Sequence, residues 1–259
     1  KPVITGPVLY WDWETSKERL NARVRALCRG AKINFTNIWY KHGKAPLYDS
    51  AEDVATFCKT EGVVLLIVDA VEMAMAGTKE SGGDANDSTT KLYTGLRTIG
   101  VASLLIDHVN KADSDNLKAR KQYGSIHKKN QARNQFEIRL VEDALDIGKS
   151  RCFHIGVFNT KKNDDGALIP PMALRVDYDD ASTSYSPDNI ASSSLIKRLD
   201  APAAVLHVIS ASNAELLASE IADLCEHKIK TVRSALSRYV KVGKLTHNGK
   251  KYGWPGRTY

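Results

Sequence analysis

Three apolar runs in this 259-residue chain end in residues that can do chemistry. Val63 to Asp69 (VVLLIVD) closes on an acid, Glu14 follows PVLYWDW, and Asp107-His108 follow VASLLI. A buried parallel strand delivers its last residues to the carboxyl edge of its sheet, where open α/β sheets bind ligands. An aspartate at that edge, here Asp69, orients Mg2+ through its water shell. A glutamate beside it, here Glu14, polarises an attacking water. His108 is placed to sense a γ-phosphate. Each position also has an ordinary reading. Many parallel strands end in Asp. Glu14 precedes a helix start at which Thr15 or Ser16 caps and acids favour the dipole. A lone histidine is often structural. Further along stand Gly124-Ser125 with Arg133 beyond them, and Lys161-Lys162 after another strand. Cations so placed reach a phosphate on a neighbouring subunit. Taken singly they are surface charges.

The elements that must position these residues are read from hydrophobic period and from capping and turn signals. Pro7 to Trp13 is a strand and Ser16 to Arg29 a helix, with Leu20, Val24 and Leu27 on one face and Gly30 closing it. Ser50 to Glu61 is a second helix introduced by Asp49-Ser50, and Ser88 to Ile99 a third. Val63–Asp69 and Val101–Asp107 are unbroken apolar strands; Phe136–Val141 and Phe153–Phe158 follow as further strands. Apolar strands separated by helices predict an α/β fold, a mostly parallel sheet covered on both faces. Gly77–Asp87 and Lys111–Gln122 each follow a strand's carboxyl end and read as loops, and Asp179–Ser194 (DDASTSYSPDNIASSS) reads as a linker. No internal repeat is visible.

Composition excludes several classes. With 42% hydrophobic and 26% charged residues the chain is neither collagen-like, nor a coiled coil, nor wholly disordered. No apolar run reaches the roughly 18–20 residues of a membrane span, and no charged-then-apolar leader opens the sequence. It begins with Lys1, so the natural start is expected upstream. The four cysteines, Cys28, Cys58, Cys152 and Cys225, are scattered with no CxxC pair, which fits a reducing cytoplasm better than a disulfide framework or structural zinc.

The net charge of +7 is uneven. From Leu195 onward eleven Lys/Arg face five Asp/Glu, whereas the first 194 residues hold 26 against 25. A compact basic segment suggests a polyanion, most often nucleic acid, unless it is simply a solvated surface. Its pattern is local: helices Leu195–Ile209, Ala214–Cys225 and Lys228–Val242, then short strands Gly243–Thr246 and Lys251–Trp254 about Asn248-Gly249. Three helices and a hairpin predict a winged helix, whose third helix enters a major groove while the wing touches backbone. Arg233, Arg238, Lys241, Lys250 and Lys251 would then face phosphate; a winged helix can also serve protein contacts. The expected domains are 1–178, a linker over 179–194, and 195–259.

Taken in order, these features resemble the RecA-superfamily ATPases, most closely the RepA-like hexameric helicases and their AAA/RecA-like relatives. GPVLYWDWETSKERLNARVRAL is similar to the segment after that family's P-loop helix. LLIVDAVEMAMAG resembles its Walker B strand, SLLIDHVNK its third motif, and YGSIHKKNQARNQFEI its GS-to-arginine-finger segment. The resemblance spans about residues 6–178. It implies a RecA-like core that binds ATP and Mg2+ between subunits of a homo-oligomer, commonly a hexamer. Glu14 would be the catalytic base, Asp69 the Mg2+ partner, His108 the γ-phosphate sensor and Arg133 the finger supplied in trans. Gly124, Ser125, Lys161 and Lys162 would approach the nucleotide. At the last site the pattern departs, because Lys162-Asn163-Asp164 lacks the family's second arginine.

A larger departure concerns the phosphate cradle. The family's GxxxxGK[ST] does not occur. The one GKS, Gly148-Lys149-Ser150, has Asp143 where the first glycine belongs and is followed by strand-like RCFHIG. The cradle is therefore expected upstream of Lys1. The resemblance implies an ATP-driven motor on DNA, helicase-like or recombinase-like. In such a ring Lys79, Lys111, Lys118, Arg120 and Lys121 of the two loops would line a channel for single strands. Two alternatives stand beside it. One is a non-enzymatic DNA-binding regulator that uses a degenerate core for assembly. The other is an accessory protein of replication that associates in a nucleotide-dependent way.

Overall fold

The computed structural model describes residues 4–34, 37–75, 85–108, 126–140, 145–147, 150–163, 169, 171–188, 199 and 201–259. Two compact units divide the chain, Lys1–Arg133 and Asn134–Tyr259.

The first unit is α/β. Its strands β1 (Val8–Asp12), β2 (Ile38–His42), β3 (Leu65–Asp69) and β4 (Ala102–Ile106) form one parallel sheet in the order β2-β1-β3-β4. Between them run α1 (Lys17–Ala31), a 3-10 turn (Leu47–Ser50), α2 (Ala51–Glu61), α3 (Val71–Ala74) and α4 (Ala85–Ile99), and α5 (Ile126–Gln131) closes the unit. Alternation sends Leu9 and Trp11 of β1 and Leu66 and Val68 of β3 into a core with Leu47, Val54, Cys58, Leu92 and Leu96. Every one of those side chains is buried, and Leu66 and Val68 have no exposed surface.

The other face is thinner than expected. Of α1 only Leu20 is buried, while Leu27 is exposed. The helix also runs through Gly30 and ends at Lys32, whose backbone is left-handed at φ 55°. Ala102, Ser103 and Leu104 of β4 are exposed, so among the described residues cover is thin at this edge of the sheet. β2 escapes a pattern reading because Ile38–His42 (IWYKH) is short and half polar.

In the second unit the sheet is antiparallel, a correction to the mostly parallel expectation for residues 134–178. β5 (Asn134–Leu140), β7 (Ser150–Lys162), β8 (Met172–Tyr178) and β9 (Thr183–Asp188) lie in that order, with β6 (Leu145–Ile147) also on β7. These strands group with the C-terminal residues in the second compact unit. The stretch 179–194, read as a linker for its polarity, contributes β9. Polar residues suffice there because β9 pairs only with β8 among the described residues, and three of its side chains, Thr183, Ser184 and Asp188, are half-buried while the other three are exposed. β5 is inverted relative to a usual edge strand. Phe136, Ile138 and Leu140 are exposed, while Glu137 and Arg139 point inward as an ion pair at 2.7 Å.

The chain closes with α6 (Ala201–Ala211), β10 (Leu216–Leu217), α7 (Ala218–Cys225), α8 (Ile229–Lys241), β11 (Thr246–His247) and β12 (Lys251–Gly253). The small strands form an antiparallel sheet in the order β10-β12-β11. Val205, Ile209, Ile221, Cys225, Val232 and Leu236 knit the three helices into one buried cluster that also takes in Phe158 of β7 and Ala173 of β8. The hairpin turn is fastened by Asn248, whose Oδ1 accepts the Lys251 N–H at 2.9 Å, with Gly249 at φ +91° supplying the left-handed backbone.

Candidate functional site

β1 and β3 are paired in register, so that Asp12 stands opposite Asp69, and Asp69 in turn opposite Ile106 of β4. Their carboxyl ends therefore form one edge, from which Glu14, Asp69, Asp107 and His108 emerge. The ladder continues one residue past the strands: the Trp13 N–H donates to the Asp69 carbonyl at 2.7 Å. Trp13 is seated by stacking on Trp11 at 4.8 Å and by its Nε1–H, which donates to the Ala45 carbonyl. A Cβ at Gly43 would lie 2.1 Å from the Trp13 ring, so only glycine fits beneath it.

Glu14 and His108, 94 residues apart, meet at this edge. His108 Nε2 lies 3.1 and 3.3 Å from the two Glu14 carboxylate oxygens. Both are solvent-accessible, with side-chain exposures of 39% for Glu14 and 62% for His108. The structure thus brings together Glu14, His108 and the end of β3, as their places after apolar strands predict.

Asp69 is nearly buried, and its Oδ2 accepts the Tyr10 hydroxyl at 2.5 Å. Burial first, then that hydrogen bond to a carboxylate, pushes the Tyr10 phenol far above its ordinary range. The peptide bond between Asp69 and Ala70 is cis.

Asp107 is held differently. Lys128 of α5 donates to its Oδ2 at 3.1 Å, and the two side chains are 5% and 14% exposed. Burial raises the Asp107 carboxyl above the usual range, and Lys128 works against that rise. Tyr93 of α4 donates to the Lys128 carbonyl at 3.1 Å, and burial pushes its phenol up to about 12. Asp12, Tyr10 and the Lys128–Asp107 pair are absent from the sequence reading. The D-x-E spacing of Asp12 and Glu14 is the signal that could have found the first.

The remaining predicted residues lie elsewhere. Arg133 is exposed in the turn between α5 and β5. Lys161 and Lys162 belong to the second unit, where they stand opposite Gln135 and Asn134 of β5. Gly124, Ser125, Lys79, Lys111, Lys118, Arg120, Lys121, Gly148 and Lys149 lie outside the described residues; of the expected loop over 77–87, residues 85–87 open α4 instead. Ser150 opens a strand, which agrees with rejecting the GKS as a phosphate cradle.

Arg233, Arg238 and Lys241 are all exposed on α8, on the side away from buried Val232, Ala235, Leu236 and Tyr239. Lys250 and Lys251 are exposed on the hairpin. Lys230 and Lys244, which the sequence reading passed over, extend the same basic surface.

Asp69 offers hard oxygen donors at a strand's carboxyl end, which suits Mg2+ held through its water shell. No group of three or more metal-capable side chains occurs among the described residues. Nor does any of the described helices have the length and apolarity to cross a membrane.

No curated protein matches the sequence. Among solved structures the fold is similar to a KaiC-like protein from the hyperthermophilic archaeon Pyrococcus horikoshii, at 12% identity and a TM-score of 0.47, over 70% of this chain and 76% of that one. Residues 1–114, which carry the parallel sheet and the Glu14–His108 edge, match the model of the AAA domain family.

Proposed function

We propose that the chain is part of a RecA-like ATPase that works on DNA. The observation that carries this reading is the carboxyl edge of the parallel sheet, where Glu14, His108 and Asp69 converge at the ends of β1, β4 and β3. The match of residues 1–114 to an AAA domain supports nucleotide chemistry at that edge. In this reading Glu14 accepts the proton of the attacking water and His108 senses the γ-phosphate beside it. Asp69 holds Mg2+ through water, and the ion when bound neutralises phosphate charge. Arg133 reaches the nucleotide of a neighbouring protomer in a ring, commonly hexameric; Lys161 and Lys162 are read as further cations for the nucleotide. Lys79, Lys111, Lys118, Arg120 and Lys121, which lie outside the described residues, are read as the contacts to single strands.

The C-terminal helices and hairpin are read as a winged helix. Their helix–strand–helix–helix–strand–strand order supports this, as do the exposed Arg233, Arg238, Lys241, Lys250 and Lys251 along α8 and the turn. A second reading has a specific observation behind it. The chain contains no GxxxxGK[ST], which favours a DNA-binding protein whose α/β unit only assembles. ATP hydrolysis by the full-length protein, with and without single-stranded DNA, separates the two. The first reading expects DNA-stimulated turnover that falls at least about 100-fold in Glu14→Gln. Absence of turnover with DNA binding retained establishes the second.

A further inference from the structure

We propose that Asp12 is a positioning residue that fixes Glu14 from below; this rests on the hydrolytic reading of the Glu14–His108 edge. Asp12 ends β1, is fully buried, and is tied into the sheet by its own backbone, its carbonyl accepting the Gly43 N–H at 2.7 Å. Its Oδ1 accepts two backbone N–H groups, from Glu14 at 2.8 Å and from Thr15 at 2.9 Å. One carboxylate oxygen therefore sets the course of the chain as it leaves the sheet toward α1. The Glu14 side chain has no such support of its own. It is exposed and, among the described residues, meets an exposed imidazole, a kind of pair too weak to hold two flexible groups in one geometry. The place of the Glu14 carboxylate is thus inherited from its backbone, and the backbone's place from Asp12.

The second Asp12 oxygen takes no part in this. Oδ2 is buried and makes no hydrogen bond among the described residues. Asparagine keeps the Oδ1 acceptor and the shape, and alanine removes both.

The test uses the full chain with Asp12→Asn and Asp12→Ala. Three quantities are read: steady-state ATP hydrolysis, the 15N resonance of His108 Nε2, and amide exchange at Glu14 and Thr15. In Asp12→Ala, kcat is expected to fall about 30-fold while KM for ATP moves less than about threefold. The His108 resonance should move to its position in Glu14→Gln, and both amides should exchange faster. Asp12→Asn should keep kcat within about threefold of the parent, with the resonance and the amide protection unchanged. Wild-type behaviour of a folded Asp12→Ala overturns the proposal. So does a loss in Asp12→Asn beyond about tenfold, which would make Asp12 a charge that acts directly. If circular dichroism shows the alanine variant unfolded, the asparagine arm decides alone. Absence of hydrolysis in the unsubstituted chain overturns only the hydrolytic reading, because the resonance and the amide exchange still report on Asp12.

Discussion

The phenol of Tyr93 shows how the surroundings of the edge become a pH dependence. Its hydroxyl donates to a backbone carbonyl in a half-buried place, and its ionisation is pushed up to about 12 from an ordinary value of 10.0. The sign follows from linkage. Below about pH 10 the phenol is neutral in both states; between about 10 and 12 the unfolded chain ionises first and stability falls; above that the loss is complete. Tyr93→Phe should therefore lose less stability than the parent on going from neutral pH to about pH 11.5. Urea midpoints of the two proteins across that range measure it, and lysines common to both cancel. Parallel profiles would refute the assignment. Glu14, Asp69 and His108 are legible in the sequence because each follows an apolar run. Asp12 is not, because it lies inside such a run, where an acid breaks the pattern without announcing a role.

Among the elements, α5 is held by contacts to its neighbours. It is a six-residue helix, too short to be stable by itself. Its anchors are the Lys128–Asp107 pair, the Tyr93 bond to the Lys128 carbonyl, and Arg97, which donates to Gln131 at 2.6 Å. Removing one partner of a buried pair leaves the other uncompensated, which costs about 3–5 kcal/mol. Lys128→Met should destabilise the first unit by an amount in that range, and pairing it with Asp107→Asn should restore most of the loss. Denaturant unfolding of the three variants gives the coupling. The main helices and apolar strands were readable from period and caps. The second unit's sheet was not. Phe136–Leu140 and Phe153–Phe158 have strand composition, but the sequence does not state the sense of pairing, and polar β9 looks like a connection until it pairs with β8.

At the scale of the molecule, charge and apolar surface are segregated. The C-terminal residues hold most of the net +7, and α8 with the hairpin displays it. If these cations meet phosphate, Arg233→Glu with Arg238→Glu should weaken duplex binding at least about tenfold at 0.1 M salt and flatten its dependence on salt. Fluorescence anisotropy over a salt series measures both; an unchanged affinity and slope would point to a protein partner instead.

The outward stripe of β5 has a consequence for handling the protein. Phe136, Ile138 and Leu140 stand in a row on solvent, on a strand that pairs with β7 alone among the described residues, while the charges of that strand are turned inward. Edge strands normally discourage self-pairing by facing water with lysines or glutamates. This one offers a greasy template and keeps its gatekeepers hidden. The chain will retain on phenyl resin, light up environment-sensitive dyes while fully folded, and lose material to sedimentable aggregate faster at high salt than at low. One charge placed at Ile138 should cure all three together.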